Sequence, residues 1–142
     1  MGEVRVDLEL ENLVDREIAL RGFIPSDQVR TARVHALVDS GARTLVMPEE
    51  LVEALGLSYH GTVQVTYADE RKEQRPVAGV VTVRVCNRRA EVNVIVRQRG
   101  SETLLGQVPL ELMDLVIDCA NERLVPNPAS PDIPGMKIKI AA

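Results

Sequence analysis

Apolar and polar residues alternate with period two along much of the chain, the signature of strands buried on one face. Val4-Arg5-Val6-Asp7-Leu8-Glu9-Leu10 shows the pattern first. Glu11-Asn12 then predicts a turn and Glu17 to Phe23 a second strand, before a loop at Ile24-Pro25-Ser26-Asp27-Gln28. A further strand, Val34-His35-Ala36-Leu37-Val38, runs straight into Asp39-Ser40-Gly41-Ala42. From Pro48 to Gly56 the pattern turns helical. Proline suits a first turn, Glu49 and Glu50 complement the positive end of the dipole, Leu51 and Leu55 share a face, and Gly56 can end the helix.

Strand patterning returns at Thr62 to Tyr67 and at Val77 to Val85, joined by the polar run Ala68 to Arg75. Val80 to Cys86 and Ala90 to Val96 predict a hairpin that turns at Asn87-Arg88-Arg89, rich in the β-branched residues that favour a pleated surface. Leu104-Leu105-Gly106 reads as a buried strand end with a glycine where backbones approach closely, and a helix starts near Pro109. The proline-rich stretch 127–135 cannot continue a ladder and reads as an extended linker. Met136 to Ile140 alternates once more, leaving 136–142 as either a C-terminal strand or a frayed tail. One mostly β domain over 1–126, with one or two short helices, is the organisation this pattern predicts.

Composition narrows the class. A chain of 142 residues with 45% apolar content suits a single domain with a real core. With only Phe23, Tyr59 and Tyr67 as aromatics, that core is aliphatic. A net charge of -4, scattered basic residues and the lack of stacking platforms argue against nucleic-acid binding. No apolar run approaches a membrane span, and Met1-Gly2-Glu3-Val4 does not open a secretory leader. The expectation is therefore a cytoplasmic protein without membrane association, with Cys86 and Cys119 as reduced thiols. These cysteines, His35 and His60 show no metal-ligand spacing, so neither metal nor cofactor is expected.

Asp39 carries the candidate chemistry. Asp-Ser-Gly by itself is ordinary turn chemistry, since Asp and Ser bond nearby backbone and Gly accepts positive φ. Its context, a strand that ends on an acid and a glycine that lets the chain turn, places a carboxylate where a cleft can begin. A lone carboxylate is a poor general base at neutral pH, whereas two held face to face share a proton and can activate water and protonate a leaving group. No second Asp-Ser/Thr-Gly occurs in the chain, so a catalytic partner would be Asp39 of a second copy. Asp118 is the rival acid, but Cys119-Ala120-Asn121-Glu122 after it lacks the small loop, and it reads as a turn acceptor.

The strand entering Asp39-Ser40-Gly41-Ala42, with Leu104-Leu105-Gly106 some sixty residues on, resembles the retropepsin-like aspartic proteases. Pro109-Leu110-Glu111, Leu115-Val116-Ile117-Asp118 and Arg123-Leu124-Val125-Pro126 particularly resemble the single-domain bacterial and archaeal members. The resemblance implies a closed or partly closed acid-protease barrel, assembled as a symmetric homodimer with the site on its two-fold axis. It implies that Asp39 is catalytic, that Ser40 braces the loop across the dimer, that Gly41 permits close approach, and that Ala42 completes the active-site loop. Leu104, Leu105 and Gly106 would support that loop. Composition alone reads the polar run as a solvated hairpin; the resemblance makes Tyr67, Ala68, Asp69 and Glu70 a flap over a peptide or protein substrate. Two features depart from the viral members: Ala68 to Pro76 has no glycine, and Gln107 stands where they carry arginine. Arg43 would favour ionisation of the dyad if its side chain pointed there. The function implied is an aspartic endopeptidase, with a noncatalytic dimeric domain that binds peptides or partner proteins as the alternative.

Overall fold

The computed structural model describes residues 2–139. In chain order the described elements are β1 (Arg5–Asn12), α1 (Leu13–Leu20), β2 (Thr31–Val38), β3 (Leu45–Pro48), α2 (Glu49–Leu55), β4 (Ser58–Thr66), β5 (Lys72–Val85), β6 (Arg88–Arg97), β7 (Leu104–Leu105), α3 (Gln107–Met113), β8 (Leu115–Asp118) and β9 (Arg123–Pro126). The protein is mostly β, as its alternation predicts.

Seven strands hydrogen-bond in the order β1-β2-β7-β3-β6-β5-β4, and β1 also pairs with β5. That extra pairing closes a ring of strands and leaves β4 outside it, bonded only to β5. β4 is exposed along nearly its whole length. In β6 the alternation is strict: Ala90, Val92, Val94 and Val96 enter the core while Glu91 and Asn93 point out. The ring encloses an aliphatic core that includes Leu8, Leu10, Leu45, Met47, Leu105 and Met113. Burying a side chain of this size contributes about 1.5–3 kcal/mol each. β8 and β9 form a separate two-stranded sheet that adds Leu115 and Leu124 to the same core.

Three local expectations are corrected. Glu11-Asn12 is not a turn and Glu17 to Phe23 is not a strand: β1 continues to Asn12, and α1 follows at once. Asn12 is the reason. Its side-chain oxygen caps the helix by accepting the Asp15 amide at 3.0 Å, and its Nδ2 donates to the Leu55 carbonyl at 2.8 Å. Asp15 is then held by Arg30, which donates from Nε at 2.8 Å and Nη2 at 2.9 Å, and by the Arg30 amide at 3.0 Å. These bonds keep the Asp15 carboxyl below its ordinary pKa against the opposing effect of burial. The β5–β6 turn is also tighter than expected, with Cys86 and Asn87 both at positive φ and Arg88 already in β6. Of 136–142, which the sequence left open as strand or tail, residues 136–139 form no strand and residues 140–142 lie outside the described residues.

α2 forms where expected, starting one residue later, at Glu49, and burying Val52 and Leu55, with Leu51 half-buried. Pro48 precedes the first turn, Glu49 and Glu50 occupy it, and Gly56 ends the helix at φ 63. Asp118 also behaves as a turn acceptor. It takes the Asn121 side chain at 2.8 Å and Arg123 Nε at 3.1 Å, bonds that lower its pKa.

Candidate active site

β7 lies between β2 and β3, parallel to the first (Leu37 opposite Leu104, Val38 opposite Leu105) and antiparallel to the second (Val46 opposite Leu104). The chain leaving β2 must therefore cross the end of β7 before it returns as β3. Residues 39–44 make that crossing, and the backbone holds them there. The Asp39 amide donates to the Leu105 carbonyl at 3.0 Å. Gln107 and Val108 donate to the Ala42 and Arg43 carbonyls at 2.8 and 2.7 Å. These two amides belong to the first turn of α3, which has no side-chain cap, so the loop satisfies donors the helix would otherwise leave open.

Gly106 makes this junction possible. A Cβ there would lie 2.6 Å from the Ala42 carbonyl oxygen and would also strike that of Thr44. Leu105 beside it is fully buried, and Leu104 is half-buried against the cleft. The sequence-derived supporting segment and active-site loop are thus in direct contact.

Within the loop, Asp39 Oδ1 accepts the Gly41 amide at 2.9 Å, and the Asp39 carbonyl accepts the Ala42 amide at 3.1 Å. This Asx turn fixes the direction of the carboxylate. Asp39 and Ala42 are half-buried, and Ser40 and Gly41 are exposed. A Cβ on Gly41 would come within 3.1 Å of Asp39 Oδ1, so the glycine leaves room for the bond.

Asp39, Gly41 and Ala42 form one side of a cleft of about 410 Å³. Val65, Thr66, Tyr67 and Ala68 from the β4–β5 hairpin face them, with Val46, Ile95, Arg97 and Leu104 completing the walls. Asp39 is the only carboxylate lining it among the described residues. An adjoining groove of about 610 Å³ shares Val65, Thr66 and Ile95 and continues past Val63, Val108 and Leu112. Arg43 lines this groove and not the cleft around Asp39.

The hairpin tip closes as a tight turn, with Tyr67 donating to the Arg71 carbonyl and Glu70 to the Tyr67 carbonyl, both at 2.9 Å. Glu70 takes the left-handed position at φ 67, which explains how a glycine-free tip turns. Of the residues read as a flap, Tyr67 and Ala68 line the cleft, while Asp69 and Glu70 are exposed at the tip. The Tyr67 ring lies under Arg71 at 4.5 Å and Arg97 at 5.3 Å. Ile95 and Arg97 were not foreseen as cleft residues, although the alternation of β6 puts them on one face.

No group of three His, Cys, Asp or Glu able to hold a metal occurs among the described residues. No described helix is long and apolar enough to cross a membrane.

Comparisons with known proteins agree with this architecture. The model of the "gag-polyprotein putative aspartyl protease" family matches residues 28–111, a span containing the Asp39 loop, the hairpin and Leu104-Leu105-Gly106. A search of curated proteins finds no significant match. Among solved structures, the chain is similar to the retroviral protease-like domain of Ddi1 from Leishmania major at 17% identity and a TM-score of 0.53, with 90% of each chain covered. It also aligns with a retropepsin-like aspartic protease from Rickettsia conorii at 14% identity and a TM-score of 0.40, covering 83% of this chain and 89% of that one. With a family match over more than half of its length and a ring of strands that carries an Asp-Ser-Gly loop against Leu-Leu-Gly, this chain belongs to the retropepsin-like aspartic proteases.

Proposed function

We propose that the protein is an aspartic endopeptidase that works as a homodimer, hydrolysing peptide bonds with water held between two Asp39 carboxyls. The observation that carries this reading is Asp39 itself, oriented by Gly41 at the floor of a cleft roofed by the β4–β5 hairpin. The cleft contains one carboxylate, and the chemistry needs two. A second copy related by a two-fold axis supplies the other at no cost in sequence.

In this mechanism one Asp39 is ionised and takes a proton from water as it adds to the peptide carbonyl. The other, protonated, donates to the carbonyl oxygen, and a carboxyl then protonates the departing amine. The titration belongs to the pair. In this reading Ser40, exposed beside the acid, braces the loop against the partner copy. The free edge of β4 and the hairpin backbone offer ladder bonds to an extended substrate, and hairpin opening admits substrate and releases products.

A subunit-mixing experiment tests the dimeric site. Excess Asp39→Asn chain added to wild type should quench cleavage as mixed dimers form, each with a single carboxylate. Cleavage unaffected by mixing, with exchange verified by mass, would refute a shared site. Peptide binding that survives Asp39→Asn, with no cleavage by wild type, would instead identify a noncatalytic peptide-binding dimer.

A further inference from the structure

Most arginines of this chain have a defined partner. Among the described residues, eight form ion pairs with carboxylates. Arg88 instead donates to the Met113, Asp114 and Ser130 carbonyls. Arg97 has neither kind of partner among the described residues, although it lines the cleft with Asp39. Its Nε is buried with no hydrogen-bond acceptor.

A guanidinium bonds in two directions. Its face stacks on aromatic rings, and its plane carries five N–H donors in a fork that matches a carboxylate. In Arg97 the face is taken by Tyr67, at 5.3 Å, and the plane is unused. Glu73 accepts Arg75 at 3.1 Å and the Tyr67 hydroxyl at 3.4 Å, and forms no ion pair with Arg97. Arg71 also stacks on the Tyr67 ring, at 4.5 Å, and has no ion pair with a carboxylate among the described residues. A ligand carboxylate that meets the guanidinium from the cleft gains a charge-assisted bond that no protein group makes among the described residues.

We propose that Arg97 is a specificity-determining residue that selects peptides placing an Asp or Glu side chain in the cleft beside Asp39. The acidic carboxylate accepts from the plane of the Arg97 guanidinium while Tyr67 covers its face. With one Arg97 in each copy of the dimer, the acid sits at a fixed distance along the peptide, on one or both sides of the bond under attack. The inference rests on the proteolytic reading for its effect on cleavage, but its binding component stands apart from turnover.

The test is a library of proteome-derived peptides, used in two ways. Digestion followed by mass spectrometry of the products should show Asp or Glu enriched at a fixed distance from the cut, on one or both sides of it. For a matched pair of substrates differing only as Glu and Gln at that position, wild type should prefer Glu by about 10- to 100-fold in kcat/KM. Arg97→Gln should bring that ratio near one, and Arg97→Glu should shift the enriched residue to Lys or Arg. Separately, the same library is captured on immobilised Asp39→Asn protein, with and without Arg97→Gln. Acidic peptides should be enriched only when Arg97 is present, whether or not wild type cleaves. Absence of cleavage with Arg97-dependent capture would sink the proteolytic reading and keep this one. Cleavage or capture with no acidic preference, or a preference unchanged in folded Arg97→Gln, would overturn it and leave Arg97 as a stacking partner of Tyr67.

Discussion

Gly106 lies so close beneath Ala42 that a side chain on it would meet the Ala42 carbonyl oxygen at 2.6 Å. That carbonyl in turn receives the Gln107 amide at 2.8 Å, so the loop bearing Asp39 and the start of α3 are docked backbone to backbone. Gly106→Ala should force the two apart and destabilise the fold by about 2–3 kcal/mol, the range of an overpacked core position. Urea unfolding gives the stability. Any residual function should fall further than stability does, because the displaced segment is the one that carries Asp39. A variant of wild-type stability would contradict the contact.

The hairpin tip makes a separate prediction. Glu70 sits at φ 67, a conformation that costs an L-residue about 1–2 kcal/mol and glycine little. Glu70→Gly should therefore be more stable than Glu70→Ala by about 1 kcal/mol in urea unfolding, although alanine ordinarily favours folded chains. Equal stabilities would mean that residue 70 is not left-handed in solution.

Acid sensitivity follows from Asp15. Its carboxyl, held mainly by the Arg30 side chain, has a folded pKa below the ordinary carboxylate value. A group depressed in this way stabilises the fold above its unfolded pKa of about 3.9, and the contribution is lost as pH falls through the folded value. Since Arg30 is half exposed, removal by Asp15→Asn should cost about 1–2 kcal/mol at pH 7, less than a fully buried pair. The gap between wild type and variant should narrow below about pH 4 in unfolding experiments across pH. A gap that stayed constant would exclude the ion pair as its cause.

The cleft shows how far sequence reading reaches. A strand ending on Asp39, a turn at Gly41 and a close backbone approach at Gly106 follow from local rules, whereas the docking of Leu104-Leu105-Gly106 against the Asp39 loop was implied only by the family resemblance. The six-residue crossing itself depends on β7 inserting between β2 and β3, a long-range pairing that alternation does not specify. α2 was legible from Pro48 and Gly56, which act within one turn of the helix. α1 was missed because Leu13 to Phe23 lacks a clear helical stripe. Only Asp15 is buried in that helix, and its stability rests on the Asn12 cap and on Arg30, fifteen residues away from Asp15 in sequence. The Asn12-x-x-Asp15 spacing was the available signal. Arg97 was hidden for a different reason. Its face of β6 becomes a cleft wall only because the β4–β5 hairpin folds over it.

Digestion of a diverse peptide library from pH 3 to 7 decides whether Asp39 performs peptide hydrolysis. Wild type and Asp39→Asn are compared at matched dimer content and matched folded fraction. Wild type should cleave, and Asp39→Asn should lose at least about 10³-fold, since removing one member of a catalytic unit removes most of its effect. Equal cleavage by the two proteins, or none by a correctly folded wild-type dimer at any pH in that range, would contradict hydrolysis by Asp39.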